Sequence, residues 1–445
     1  MTSLNKQQHL ASLPTNGISL VIAGAGTGKT KILVEKVKNI IHAGLVKPEN
    51  ILILTFSSKA ALEIRERVMS GVSQNADAIT SGTFHSFCLS LLRSNSGVFL
   101  SSFNFNEFPK ILDEQEKEKL LSDLLRNSID RFLGLPVNVV AGLFENIDRL
   151  NKKTYEKLMR LGIIDELDNL KRKFSEYKIS YNMIDFSDMI NFAIDLLTND
   201  ASIREDTTSK YKYILIDEFQ DTSPDNLKLI RLLLDKKNPN LFLVGDDWQS
   251  IYGFRGSKID YIVNMKKYFP DAGIYNLNLN YRSNKEIVKL SNNFIRKNKY
   301  RTWKKLKSVK GSGGLVVDFC VVDFDEEIEV IIDILKKNNL NDAAVLYRNN
   351  WQGYTISRSL EAKGIAPNRL KFMTIHSSKG LEFGSVIIAG VSDKIIPDAS
   401  ADIEEERRLL YVAMTRAKEN LFIVHYSTAE GELSLFAKEL GFSKR

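Results

Sequence analysis

Cysteine is almost absent from this sequence: among 445 residues only Cys88 and Cys320 occur, one beside a Phe-rich stretch and one inside an apolar run. Two such residues supply neither a disulfide framework nor a thiolate metal cluster, and they suit a reducing cytoplasm. Long apolar runs are missing too. No stretch of eighteen apolar residues occurs, and the N-terminal MTSLNKQQHLASLPTNG lacks the basic-then-apolar order of a signal peptide. Neither a membrane span nor export by that route is expected. No internal repeat of fixed period is present.

What is there has the composition of a soluble globular protein, 43% hydrophobic and 26% charged, in a chain long enough for two or three domains with clefts between them. The formal net charge of +7 suits a polyanionic partner without requiring one.

Short apolar runs with β-branched residues recur at 18–24, 50–56, 213–219 and 241–246, and read as buried parallel strands. Between the first two lies KILVEKVKNIIHAG, apolar at helical spacing with a glycine stop, which completes a strand–helix–strand unit. From about Phe105 to Ser202 the sequence turns charged and helix-favouring. A second series of strand candidates follows at 314–322, 343–348, 370–376, 385–391 and 420–426. The expectation is an α/β fold of two lobes: 1–90 and 205–273 form the first, 91–204 a mainly helical insertion in it, and 274–445 the second. The run RTWKKLKSVKGSGG at 301–314 reads as a basic surface loop.

The run AGAGTGKT at 23–30 follows a strand and opens a helix, the context a phosphate-binding loop requires. Its glycines let backbone N–H groups turn inward, and a helix N-terminus favours anions. Lys29 would reach the β- and γ-phosphates and Thr30 would hold Mg²⁺. The usual first glycine is Ala23, so the strict pattern fails at one position. In ILIDEFQDT, Asp217 and Glu218 stand at a strand end, where an aspartate can organise Mg²⁺ and a glutamate can deprotonate water. The same pair in isolation reads as an acidic strand-end cap.

Further runs complete a pattern. ILIDEFQDTSPDN, VGDDWQSIYGFRGS at 244–257, LNYRS at 279–283, MTIHSSKGLEF at 373–383 and EERRLLYVAMTRAKE at 405–419 resemble, in order, the motifs of the UvrD/Rep helicases of superfamily 1. TFSSKAALEIRERV at 55–68, GTFHSFC at 82–88 and LNKQQHLA at 4–11 fill the early positions, so the resemblance covers nearly the whole chain. The variant GDDWQ, with Trp248 beside Gln249, is similar to helicase IV more than to the UvrD subgroup.

The resemblance implies two RecA-like lobes with ATP and Mg²⁺ between them. Ala23, Gly24, Ala25, Gly26, Thr27, Gly28, Lys29 and Thr30 would cradle the phosphates. Gln8 would read the adenine edge, Tyr281 stack on the ring, Glu382 lie near the ribose, and Gly380 belong to the same site. Lys31 falls where relatives often carry a stacking arginine, whose flat guanidinium lysine lacks. Thr30 and Asp217 would hold the metal. Gln249 would sense the γ-phosphate, and Arg282 and Arg416 would act as arginine fingers from the second lobe. Phe56, Thr83, His85, Tyr252, Phe254, Arg255, Asn349, His376 and Lys379 would follow single-stranded DNA across both lobes.

On this reading the chain is a cytoplasmic ATP-dependent single-stranded DNA translocase and 3′–5′ helicase, acting on single strands or tailed duplexes. One departure stands out. Between AVLYRNN and FMTIHSSKG, where typical members carry the mobile accessory 2B domain, only a short connection occurs. About 25 residues follow Asn420, fewer than an added nuclease domain would need. The compact motor leaves open a different class of role: a helicase-like subunit of a DNA-repair or Gabija-type anti-phage assembly that needs a partner nuclease.

Overall fold

The computed structural model of the protein describes residues 4–72, 76–126, 132, 135, 137–147, 152–338, 342–365, 370–399, 401–427 and 431–443. Its first sheet contains β1 (Ile18–Ala23), β2 (Ile51–Thr55), β3 (Thr80–Thr83), β6 (Tyr213–Ile216), β7 (Leu241–Gly245) and β8 (Gly273–Leu277). Their spatial order is β3-β2-β6-β7-β1-β8, with every pair parallel. A two-residue pair, β4 (Lys110–Ile111) with β5 (Met183–Ile184), lies among the helices. Another, β9 (Leu279–Asn280) with β10 (Lys307–Ser308), lies between the two large sheets in sequence. The second large sheet has β11 (Leu315–Val321), β12 (Ala343–Tyr347), β13 (Lys371–Thr374), β14 (Phe383–Val391) and β15 (Ala417–Tyr426) in the order β11-β15-β14-β12-β13, again all parallel.

Strands buried on both faces explain the unbroken apolar runs. In the first sheet Leu20, Ile22, Leu52, Leu54, Ile214, Ile216, Leu241 and Leu243 pack into one core. The intervening Val21, Ala23, Ile51, Ile53, Tyr213, Leu215, Phe242 and Val244 pack into another on the opposite face. This is the two-residue alternation of a pleated strand. The second sheet repeats it, with Leu346, Ile388 and Ile423 on one face and Val345, Ile387 and Phe422 on the other.

The helix Lys29–His42 docks on the first sheet through Ile32, Leu33, Val37 and Ile40, and the chain leaves it through Gly44 at φ 65°, a left-handed exit suited to glycine. Within 91–204, Leu125, Phe132, Val140, Ile147, Ile163, Ile164, Leu167 and Leu170 form a separate small core. The helix Phe186–Asn199 instead joins the core of the first sheet through Met189, Ile190, Ala193 and Leu197.

Apart from the two-residue pairs, two strands, both in the first sheet, have no counterpart in the sequence expectations. β3, TSGT, and β8, GIYNL, are the sheet edges, with one half-buried and the other largely exposed, so neither carries a continuous apolar run. β8 also carries the first sheet to Leu277. From β12 the chain reaches β13 through one helix, Asn350–Ala362, with residues 366–369 of that connection outside those described. Among the described residues, no helix is long and apolar enough to cross a membrane.

Candidate functional site

The C-terminal ends of β1, β6 and β7 meet, as ligand-binding loops of open parallel sheets do. After β1, Gly26 and Gly28 adopt φ 68° and 88°, and the helix begins at Lys29. Its first intrahelical bond runs from Ile32 N–H to Gly28 O, so the N–H groups of Lys29 and Thr30 have no carbonyl within the helix. Thr27 folds inward, its hydroxyl donating to Gly24 O at 2.8 Å. The loop is braced from outside: Gln8 Nε2 donates to Thr27 O at 3.0 Å while its Oε1 accepts from Asn5 N. Gln8 is thus buried and spends its amide on the phosphate-loop backbone.

Residues far along the chain close over this loop. Tyr281 N–H donates to Gly26 O and Asn280 Nδ2 to Ala25 O, both at 2.8 Å. A β-carbon on Gly26 would stand 2.7 Å from Arg282 Cβ, so this glycine is required for space as well as for φ. The Tyr281 ring is partly exposed and its hydroxyl accepts from Asn5 Nδ2 at 2.7 Å. Arg282 donates from Nε to Glu382 Oε2 at 2.7 Å and from Nη1 to Thr415 O at 3.2 Å. Glu382 also pairs with Lys418 at 3.2 Å. Gly380, at φ 85°, allows the turn that leads to Glu382.

At the end of β6, Asp217 is buried, and its Oδ1 has no hydrogen-bond partner among the described residues. Burial, reinforced by the neighbouring Glu218, pushes its carboxyl up to about 7. A buried, unpartnered oxygen of this kind suits a divalent cation, and beside it lie Lys29 and the left-handed glycines that a triphosphate needs. The donor set therefore fits a magnesium nucleotide.

Glu218 takes φ 53°, a left-handed conformation uncommon for a non-glycine residue and often found at functional sites. Burial alone would raise its carboxyl. Lys29 at 3.8 Å, Lys379, a 2.5 Å bond from Gln220 Nε2 and Arg416 together outweigh that and hold it at about 2. It is an ionised carboxylate fixed beside the phosphate loop.

Gln220 Oε1 accepts from Asp246 N–H at 2.8 Å, tying the end of β6 to the end of β7. There Gln249 Nε2 donates to Asp246 Oδ2 at 2.5 Å, and Gln249 Oε1 accepts from Arg416 Nη2 at 2.9 Å. Arg416 is buried, with Nε on Val412 O and Nη1 on Leu381 O. Burial and the nearby Arg282 lower it to about 9, against the pull of Glu218. Arg282, Arg416, Lys29, Asp217, Glu218 and Gln249 are thus brought to one junction between the sheets.

The residues expected along a nucleic-acid path fall into groups at strand ends. Phe56 follows β2, its ring 5.1 Å from Phe84. Thr83 ends β3 and caps the next helix, accepting from Ser86 N. His85 stands edge-on to Phe186 at 5.4 Å, and burial lowers its pKa. A second group joins Tyr252, Phe254, Arg255 and His376: the Arg255 guanidinium lies 5.4 Å and 5.6 Å from the two rings, and Phe254 meets His376 at 5.4 Å. Burial, with Arg348, Arg255 and Lys379 nearby, takes His376 down to about 4, so it is neutral at physiological pH. Lys379 turns inward, bonding Asp221 at 2.5 Å and lying 4.6 Å from the Tyr252 ring centre. Asn349 precedes the helix Asn350–Ala362 and caps it.

In the segment 301–314, residues 309–313 are exposed as expected of a surface loop, but the stretch before them corrects that expectation. Thr302, Lys304 and Leu306 are buried while Trp303, Lys305 and Lys307 are exposed, the alternation of an extended chain with one face packed inward. Leu306 fills the space a β-carbon on Gly24 would occupy, 2.5 Å from it. Lys304 and its partner Asp246 escaped sequence reading. The doubled acid in VGDD was a signal for Asp246, whereas no local pattern marks one lysine among several.

Comparison with known proteins identifies a family for the chain. Residues 4–270 match the UvrD/REP helicase N-terminal domain, and 275–371 with 365–428 match the UvrD-like helicase C-terminal domain. A probable DNA helicase of Mycoplasma pneumoniae is 30% identical over 454 residues, covering 96% of this chain and 84% of that protein. The ATP-dependent DNA helicase PcrA of Staphylococcus aureus is 32% identical over 388 residues, covering 81% of this chain and 49% of PcrA. The ATP-dependent DNA helicase Rep of Buchnera aphidicola is 31% identical over 382 residues, covering 82% and 57%. The chain thus spans only about half the length of PcrA and somewhat more of Rep.

Proposed function

Because the chain belongs to the UvrD/Rep helicase family, we propose that it is an ATP-dependent DNA motor, a single-stranded DNA translocase and helicase moving 3′ to 5′. The observation that carries this reading is the convergence of Arg282 and Arg416, from beyond the first sheet, on the phosphate loop and the Asp217–Glu218 strand end.

In this reading Lys29 and the loop 23–30 hold the phosphates, and Thr30 with Asp217 holds Mg²⁺. Bound MgATP supplies the transferable γ-phosphoryl group and the cation that offsets its charge. Glu218, kept ionised by Lys29 and its other neighbours, accepts a proton from the attacking water. Gln249 reports on the γ-phosphate, and Arg282 and Arg416 stabilise charge that develops in the transition state. Gln8 positions the loop, Tyr281 offers a ring face to the base, and Glu382 orients Arg282. The aromatic group at Tyr252, Phe254 and His376, with Arg255, supports a strand by stacking and charge, with little sequence preference.

The test is ATP turnover with and without single-stranded DNA, together with strand displacement on 3′-tailed, 5′-tailed and blunt duplexes. Stimulation by the strand and displacement from the 3′-tailed substrate alone are expected. Turnover indifferent to DNA overturns the reading. The alternative reading, a motor subunit that works beside a nuclease, is motivated by the short stretch linking β12 to β13, whose described part holds the helix Asn350–Ala362. A monomer that displaces strands unaided argues against that role.

A further inference from the structure

Lys304 has no part in the roles assigned above, yet its side chain is wholly buried where the ends of the two sheets meet. Its Nζ donates to Asp246 Oδ1 and Asp247 Oδ1, both at 2.5 Å, and lies 4.7 Å from the centre of the Trp248 ring. Thr302 holds Asp247 as well, through its N–H at 2.7 Å and its hydroxyl at 2.5 Å. Asp246 has other work. Its Oδ1 also accepts from Trp248 N–H, and its Oδ2 accepts from Gln249 Nε2.

A continuous series of contacts therefore runs from Lys304 through Asp246 and Gln249 to Arg416. Its polarity is set by chemistry. A carboxylate only accepts and a guanidinium only donates, so between them the Gln249 amide has one orientation, nitrogen toward Asp246 and oxygen toward Arg416. That orientation depends on Asp246 staying in place beside a second buried carboxylate, and the shared ammonium offsets their repulsion. Burying such a cation is costly, and apolar packing would fill the space with less penalty. The same extended segment presses Leu306 against Gly24, so it touches the phosphate loop and the 246–249 turn together.

We propose that Lys304 is a positioning residue for ATP turnover: by holding Asp246 Oδ1 it presents Asp246 Oδ2 to Gln249 and fixes the Gln249 amide toward Arg416. The proposal rests on the reading of Gln249 and Arg416 as residues of the ATPase cycle. It assigns Lys304 no contact with nucleotide.

The test is a double-mutant cycle on the full chain, with oligo-dT as the DNA. Lys304→Met with Asp247→Asn removes one charge of each sign, which preserves the balance of the buried cluster, and Asp247→Asn alone is the control. Relative to that control, the pair should lower kcat by about 10- to 100-fold, the loss a displaced positioning contact produces. KM for ATP should stay within about 3-fold, because the phosphate loop is untouched. In a Gln249→Ala background the pair should add less than about 2-fold, since both changes break the same path.

Unchanged kcat, or losses that multiply with Gln249→Ala, overturn the positioning role and leave the ATPase reading intact. A wild-type chain indifferent to oligo-dT, or Gln249→Ala with wild-type turnover, overturns both. Should thermal melting show that the pair does not fold, Lys304→Gln, which keeps donors without the charge, takes its place in the same cycle.

Discussion

Arg416 Nη2 and Gln249 Oε1 lie 2.9 Å apart, joining the helix-to-β15 turn of the second sheet to the end of β7 in the first, across 167 residues of chain. Arg416→Lys keeps the charge but loses the fork that reaches Gln249, Val412 and Leu381 together. DNA-stimulated kcat should fall by about 10³-fold, the lower end of what an arginine finger contributes. ATP affinity, followed with a fluorescent nucleotide, should stay within a few-fold. Equal losses in binding and turnover would remove Arg416 from the transition state.

Glu218→Gln tests the proton acceptor. The amide is isosteric and can still bond Gln220, but it cannot take a proton from water. Turnover should drop by about 10²- to 10⁴-fold with ATP binding retained. Normal hydrolysis by this variant would place the base elsewhere.

Phe254 is 48% exposed, so Phe254→Ala should leave the melting temperature nearly unchanged. Loss of one stacking face should weaken binding of a single strand by about 1–3 kcal/mol, whatever its sequence. Phe254→Trp should restore the affinity. Fluorescence anisotropy with labelled oligo-dT at fixed salt reads both, and unchanged affinity for the alanine variant would exclude stacking at this ring.

Glu327 sets a pH dependence of stability remote from the junction. Burial lifts its carboxyl from 4.5 to about 7, against the hydrogen bonds it accepts from Tyr426 and the Gly390 N–H. The folded chain therefore keeps a proton that the unfolded chain releases above about pH 4.5. Stability from this site is full below that pH, declines as pH rises, and levels off above about 7. Glu327→Gln should remove the slope, so its advantage over wild type should grow from pH 5 to pH 8 toward roughly 3 kcal/mol at most. Urea unfolding at the two pH values measures the difference, and parallel curves would contradict it.

Much of this architecture was legible in sequence because a strand buried on both faces must be apolar at every position. The seven interior strands, β1, β2, β6, β7, β12, β14 and β15, therefore announce themselves, the edge strands β11 and β13 are apolar enough to be read as well, and AGAGTGKT announces the turn after the first. The edge strands β3 and β8 did not, since a strand with one neighbour tolerates TSGT and GIYNL. Gln8 was found through its motif, but its bond to Thr27 O belongs to an approach of two segments that no local pattern encodes.

The sequence by itself determined the parallel α/β class and the chemistry at each strand end, because periodicity and short motifs are local properties of the chain. Tertiary structure alone decided which of those ends meet: that Arg416 faces Gln249, that Asn280 and Tyr281 close on Ala25 and Gly26, and that Lys304 lies within a segment whose composition reads as surface. The physical reason is that a lysine's burial depends on partners distant in sequence, here Asp246 and Asp247, and only the packing of the two sheets brings them within reach.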